Sequence, residues 1–327
     1  MQQQKKFLII KLGALGDVVM ATSLIEQIQR HHRDDRLHLL TSPPFQGLFH
    51  AWRNLTVTTL SRKGFFSTVK MITWLRKEKF DRVYDLQSND RTRFILAFSG
   101  ISERVGNHPA LPYTISPETK YTGDIHIFDR MNEVLAAAGI QPAKPLPQLP
   151  SSINDQKIVS SWLRKHNLVD KKIVLLHAGA SPKHPEKCWP YYLELAQELD
   201  KRGFVPVWLG SNNENETNQS FASVTGINAT SAFSLIQLSL LGHCAAFSLT
   251  NDSGPMHLLS GSQKPVFAFF GPTNWRRNHA LGQKDYVLTR QPNDVVGKQL
   301  RTPDFALKNI SVEFVLNSLE KEGLLKN

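Results

Sequence analysis

Residues Thr250-Asn251-Asp252-Ser253-Gly254-Pro255-Met256-His257 join an apolar run at 245–249 to a short helical stretch at 258–261. A second apolar run, 265–270, follows and ends in Gly271-Pro272-Thr273. Strand, polar turn, helix and strand make one βα unit of a parallel sheet. Small residues and helix-capping types fill the turn, and Pro255 stands in the first helical turn, where its missing N–H is no loss. Free backbone N–H groups and the positive end of a helix dipole gather there, which is a place to hold a phosphate. Asp252 can cap the helix or bind sugar hydroxyls. Ser253 and Gly254 offer N–H groups. His257 lies one turn into the helix, either as a structural histidine or as a ligand contact.

Three other strand ends carry similar chemistry. Gly13-Ala14-Leu15-Gly16-Asp17 places Asp17 at or near a helix N-cap, as a plain cap or as a general base for an attacking hydroxyl. Gly13 and Gly16 leave the backbone open to close approach. The turn is not a Gly-x-Gly-x-x-Gly fingerprint, the strand at 37–41 ends without an acid to grip a ribose, and the P-loop pattern is absent. Within His177-Ala178-Gly179-Ala180-Ser181-Pro182-Lys183, Gly179 and Ala180 permit backbone contact with a phosphate. Lys187 then precedes Trp189-Pro190, where Trp189 reads as core. After Trp208-Leu209-Gly210, the carboxylate of Glu214 suits a ribose diol, with Glu216 as its rival and a plain helix-start acid as the alternative. No His, Cys or Asp cluster has metal-ligand spacing, and no Asp-x-Asp triplet occurs.

Alternating strands and helices must position these turns. Strand patterns fall at 7–11, 37–41, 55–60 and 83–86. Helical spacing links Val18, Ala21, Ile25 and Ile28, then Val69, Ile72 and Leu75, then 94–98 and 127–138. The stretch 142–150 holds four prolines in nine residues and is the best linker candidate. The pattern then restarts, with helices at 158–166, 192–202, 235–241 and 312–325 and strands at 173–177 and 204–209. Such alternation predicts α/β architecture with doubly wound parallel sheets, in domains 1–150 and 151–327.

At 327 residues, 41% hydrophobic and 20% charged, the composition is that of a globular chain long enough for two cores. No apolar run approaches the ~20 residues that span a bilayer, and no signal peptide precedes the strand at 7–10. Two cysteines, Cys188 and Cys244, fit a reducing cytoplasm. The net charge of +11 attracts nucleic acid, anionic membrane or a phosphorylated substrate. Basic clusters at Arg62-Lys63, Arg76-Lys77-Glu78-Lys79 and Arg91-Thr92-Arg93 favour an anionic acceptor or membrane surface, although no amphipathic anchor stands out. Aromatics interleaved with basic residues are absent, which argues against a nucleic-acid-binding protein.

Lys11-Leu12-Gly13-Ala14-Leu15-Gly16-Asp17-Val18, Lys187-Cys188-Trp189-Pro190 after His177-Ala178-Gly179-Ala180, and the Asn251-to-His257 turn with Phe270-Gly271-Pro272-Thr273 cover nearly the whole chain. In order and spacing they resemble glycosyltransferase family 9, the ADP-heptose heptosyltransferases of bacterial lipopolysaccharide synthesis. The resemblance implies a GT-B fold, two Rossmann-like doubly wound domains facing a central cleft. The first would bind acceptor and the second nucleotide sugar, with the last helix often returning to the first domain. It implies inverting, metal-independent transfer without a cofactor, from ADP-L-glycero-D-manno-heptose to an inner-core lipopolysaccharide or lipooligosaccharide acceptor (Kdo-lipid A or heptosylated core). Asp17 would be the base. Lys187 would meet the diphosphate, with Lys183 and His184 as alternatives. Glu214 would bind ribose, Asp252 the donor heptose, and Ser253 and Gly254 the diphosphate, with Gly16, Gly179, Ala180 and His257 beside the donor. Arg62, Lys63, Arg91 and Arg93 are candidates to grip acceptor anions. The enzyme would act in the cytoplasm, in peripheral contact with the inner membrane. A transferase using another nucleotide sugar, in outer-core or O-chain synthesis, is the alternative. The cysteine-rich segment that family members often carry after the Gly-Pro-Thr turn is missing from 274–286, so the subfamily stays open.

Overall fold

A computed structural model describes residues 4–60, 65–123, 125–292 and 300–325. The chain divides into two compact units, Met1–Pro150 and Ser151–Asn327. The first contains β1 (Lys6–Ile10), α1 (Leu15–His31), β2 (Arg36–Thr41), β3 (Leu55–Thr59), α2 (Phe65–Glu78), β4 (Arg82–Asp85), α3 (Asp90–Ala97), β5 (Glu103–Val105) and α4 (Ile127–Ala137). All strand pairs are parallel, in the order β3-β2-β1-β4-β5. Phe7, Leu8, Ile9 and Ile10 are all buried. They read as a continuous apolar run because a central parallel strand is covered on both faces. The winding reverses between β1 and β4, and ligands of open α/β sheets bind at the carboxyl ends beside such a switch point. The first turns of α1 and α3 lie there.

The proline-rich stretch is not a free linker. Asn132 brackets Ala143 with bonds of 2.8 and 3.2 Å, and the Gln148 N–H donates to Thr22 Oγ1 at 2.8 Å. Prolines remove donors, so few groups remain to be satisfied when the strap lies against the first unit.

The second unit contains α5 (Ile153–Lys165), β6 (Lys172–His177), α6 (Tyr192–Lys201), β7 (Phe204–Trp208), α7 (Asn215–Val224), β8 (Ile227–Asn228), α8 (Leu235–Cys244), β9 (Phe247–Asn251), α9 (Gly254–Ser260), β10 (Val266–Phe270), α10 (Trp275–Asn278), β11 (Val287–Thr289) and α11 (Val312–Lys321). Its parallel strands run β11-β10-β9-β6-β7-β8, with the switch point between β6 and β9. Alternate residues of β6 feed two cores. Val174 and Leu176 pack with Trp189, Phe247 and Phe267, while Ile173 and Leu175 pack with Val207, Met256 and Phe270. Val315 and Leu319 of α11 join the first of these cores, and Arg202 pairs with Glu320 at 3.0 Å. Ser152 with Asp155 and Ser234 with Gln237 cap α5 and α8 reciprocally, which fixes where the chain turns into each helix.

Strand β9 reaches two residues further than the apolar run implies. Thr250 pairs with His177 and Asn251 with Phe269, so both are buried inside the sheet. The polar turn therefore begins at Asp252.

Candidate active site

In the first unit Gly13 has φ of 137°, which L side chains rarely adopt. The N–H groups of Leu12 and Gly13 both donate to Gln87 Oε1, at 2.9 and 3.1 Å, so the loop after β4 staples the turn after β1. Asp17 occupies the third position of α1, and its Oδ2 accepts from the Ala14 N–H at 3.1 Å. Oδ1 takes no hydrogen bond among the described residues. The carboxylate thus caps its helix with one oxygen. Beside it Lys11 is buried, its Nζ donating to the Leu86 carbonyl at 3.0 Å. Burial pushes this ammonium below its ordinary range, while the charges of Asp17 and Asp85 pull the other way. Asp85 is buried too, and burial raises its pKa against hydrogen bonds from the Tyr113 hydroxyl and the Ser88 and Gln87 N–H groups.

In the second unit the ends of β6 and β9 meet around Asn251, which is fully buried. Its Nδ2 donates to the carbonyls of Ala178 and Gly179 at 2.8 and 3.0 Å. Its Oδ1 accepts from the Trp189 N–H at 3.1 Å and the Tyr192 hydroxyl at 3.4 Å. Trp189 is a core residue, stacked on Phe269 at 4.3 Å with its indole N–H on the Ile310 carbonyl. Lys187 is thereby set beside Asp252, with Nζ 2.6 Å from Oδ2, and Thr273 donates to the same oxygen at 2.8 Å. Asp252 does not cap α9. The N-cap is Ser253, whose Oγ turns to the Asn251 carbonyl at 3.1 Å and to His177 Nδ1 at 3.3 Å. His257 is buried in α9. Lys183 is exposed and makes no side-chain hydrogen bond among the described residues, so Lys187 is the lysine that the turn fixes.

A cavity of about 440 Å³ adjoins this cluster, lined by Gly179, Ala180, Cys188, Tyr192, Glu214 and Phe221 among others. Glu214 Oε2 accepts from the Ser211 N–H and Oγ at 2.6 and 2.7 Å, and Oε1 lies 3.4 Å from His177 Nε2. Burial raises its pKa, but the His177 hydrogen bond and charge and the Ser211 donors outweigh burial and hold it near about 2. The carboxylate fills space that only glycine leaves free: a Cβ on Gly179 would lie 1.5 Å from Oε1. Glu216 stays exposed in the first turn of α7.

Residues 68–302 match the model of glycosyltransferase family 9 (heptosyltransferase). The chain belongs to this family. Lipopolysaccharide heptosyltransferase 1 of Campylobacter coli is 23% identical, over 97% of this chain and 98% of that protein. A family 9 glycosyl transferase structure from Veillonella parvula superposes with a TM-score of 0.81 at 20% identity, covering 98% of each chain. The ADP-heptose lipopolysaccharide heptosyltransferase II of E. coli superposes with a TM-score of 0.73 at 20% identity, covering 97% of this chain and 99% of that one.

The protein is thus a family 9 glycosyltransferase, built from two GT-B-type parallel sheets. Of its candidate acceptor residues, Arg62 and Lys63 lie outside the described residues. Arg91 donates to Ser67 Oγ at 2.6 Å. Arg93 reaches Asp90 Oδ1 and the Leu111 carbonyl, each at 3.4 Å. Both arginines follow the α3 N-cap Asn89 beyond the carboxyl end of β4, which pairs in parallel with β1, the strand that the Asp17 turn follows. Sequence reasoning missed Gln87, Lys11 and Asn251 as site builders. Lys11 and Asn251 stand inside the recognised motifs, whereas Gln87 has no local signal. Among the described residues no group of three His, Cys, Asp or Glu side chains is placed to hold a metal, and no helix is long and apolar enough to cross a membrane.

Proposed function

We propose that this transferase moves heptose from ADP-L-glycero-D-manno-heptose to an inner-core lipopolysaccharide acceptor, with inversion and without a metal. The observation that carries the reading is the Lys187–Asp252–Thr273 cluster beside a nucleoside-sized cavity containing Glu214. Glu214 accepts the ribose hydroxyls, and the backbone at Gly179 and Ala180 approaches the nucleotide. Lys187 and the N–H groups at Ser253 and Gly254 stabilise the departing diphosphate, a charge that develops in the transition state. Asp252 turns from Lys187 to the hydroxyls of the donor sugar. Gly16 and His257 complete the donor contacts.

On the acceptor side Asp17 takes the proton of the attacking hydroxyl, which displaces ADP from the opposite face of the anomeric carbon. Lys11 gives that carboxylate a positive neighbour. Arg91 and Arg93, with Arg62 and Lys63, hold the carboxylates and phosphates of the acceptor. The work takes place at the cytoplasmic face of the inner membrane. Calorimetric titration with ADP, UDP, GDP and CDP, with and without magnesium, tests the donor. Selective, magnesium-independent ADP binding is expected. Preference for another nucleotide rejects heptose transfer from ADP, and a requirement for magnesium rejects the metal-independent step.

A further inference from the structure

We propose that the solvent face of α2 and α3, together with Leu111, docks the protein on an anionic lipid bilayer. This rests on the reading that the acceptor is lipid-anchored. Helix α3 buries Thr92, Ile95 and Leu96, and its other face turns two phenylalanines outward. Phe94 is 54% and Phe98 49% exposed, with ring centroids 5.0 Å apart. Leu111, 80% exposed, stands on the rim of the same hollow as Phe94. Its loop is anchored: Gly106 and Tyr113 bond to the backbone at Ile115 and Ala110, and the Tyr113 hydroxyl donates to buried Asp85 at 2.7 Å. Large apolar side chains held outward by ordered backbone mark an interaction surface.

Charge selects the partner. Arg91 reaches Ser67 near the start of α2, and Arg76 Nε donates to the Phe98 carbonyl at 2.8 Å near its end. The two helices therefore run side by side in the same direction. Lys70, Thr73, Arg76 and Lys77 are exposed along α2 at helical spacing, so a cationic strip borders the apolar ridge. The acids nearby are committed, Glu78 to Lys6 and Asp90 to Arg93. Residues 1–150 contain twenty Lys and Arg against thirteen Asp and Glu. Basic side chains beside aromatic and leucine side chains match anionic headgroups over acyl chains.

The test is co-sedimentation of the full chain with phosphatidylglycerol-containing vesicles and with phosphatidylcholine vesicles. The wild type should bind the former and release as salt rises. Phe94→Ser/Phe98→Ser/Leu111→Ser should partition at least about tenfold less, since three apolar side chains no longer leave water. Lys70→Glu/Lys77→Glu should lose the preference for anionic vesicles. ADP titration of each variant reports an intact second unit, and an unchanged circular dichroism spectrum reports that the chain as a whole keeps its secondary structure. A wild type that ignores anionic vesicles, or serine variants that bind as well as it does, overturns the proposal. Concentration-dependent self-association that the serine variant abolishes also overturns it, by assigning the face to a second copy. Loss of ADP selectivity would sink the donor reading while leaving the vesicle result to stand on its own.

Discussion

Gly179→Ala should disable the donor cavity through a side chain that the substitution does not touch in sequence. The new Cβ would lie 1.5 Å from Glu214 Oε1 and 2.4 Å from its Cδ. Ordinary contact begins near 3.4 Å, so the carboxylate must retreat by about 2 Å. It cannot retreat toward Ser211, where two bonds of 2.6 and 2.7 Å already hold it. Glu214 must rotate out and give up those bonds and the His177 contact. The backbone of Gly179 has no positive φ, so alanine brings no strain of its own. The fold should lose only about 1–2 kcal/mol, because a freed surface carboxylate is rehydrated. ADP should lose two charge-assisted bonds to its ribose, together about 2–3 kcal/mol after solvent screening, or about 30- to 150-fold in Kd. The assay is calorimetric ADP titration of wild type, Gly179→Ala, Glu214→Ala and the double variant. Because the damage runs through Glu214, Gly179→Ala should have little further effect once Glu214 is alanine. An equal loss in both backgrounds would mean that the methyl obstructs the nucleotide directly. No loss in either would refute the ribose assignment.

Asp17→Asn keeps an oxygen for the Ala14 N–H, so the thermal midpoint should hardly move while turnover falls about 10²–10⁴-fold; undiminished turnover would remove the base. Lys187→Met should lower kcat about 10²–10³-fold, measured with saturating donor, and a change confined to KM would make Lys187 a ground-state contact only. The depressed pKa of Glu214 means that its ionised form stabilises the fold above its ordinary 4.5 and that this contribution fades as pH falls toward about 2. Wild type should therefore exceed Glu214→Gln in thermal midpoint at neutral pH, with the gap closing through that acid window. Asn251→Leu leaves two carbonyls and an N–H without their partner, and urea unfolding should show a loss of at least about 3 kcal/mol.

The sequence announced its parallel sheets because central strands such as Phe7-Leu8-Ile9-Ile10 are apolar throughout and end in small polar turns. Asp17, Glu214 and the Asp252 turn stood out as candidates for the same reason, since each stands just past a strand end. The pairing of Lys187 with Asp252 spans 65 residues, and the bonds from Leu12 and Gly13 to Gln87 span 75 and 74. No local pattern records such partners. The resemblance put Glu214 ahead of Glu216, and the Ser211 cap turns Glu214 toward the cavity while Glu216 stays in solvent. The helical pattern at 94–98 does not say which face is buried, so the outward phenylalanines of α3 had no signal of their own.

Asn251 also constrains how this chain can drift. Its carboxamide offers its N–H donors to two adjacent carbonyls and its oxygen to the Trp189 N–H and the Tyr192 hydroxyl. Single-nucleotide changes from an asparagine codon reach aspartate, serine, threonine, histidine, tyrosine, lysine and isoleucine, and none of these carries a carboxamide. Aspartate would set oxygen against the Ala178 and Gly179 carbonyls. Glutamine keeps the group but adds a methylene and lies more than one base change away. Mutational scanning is therefore expected to find Asn251 far less tolerant than the exposed residues of the cavity rim.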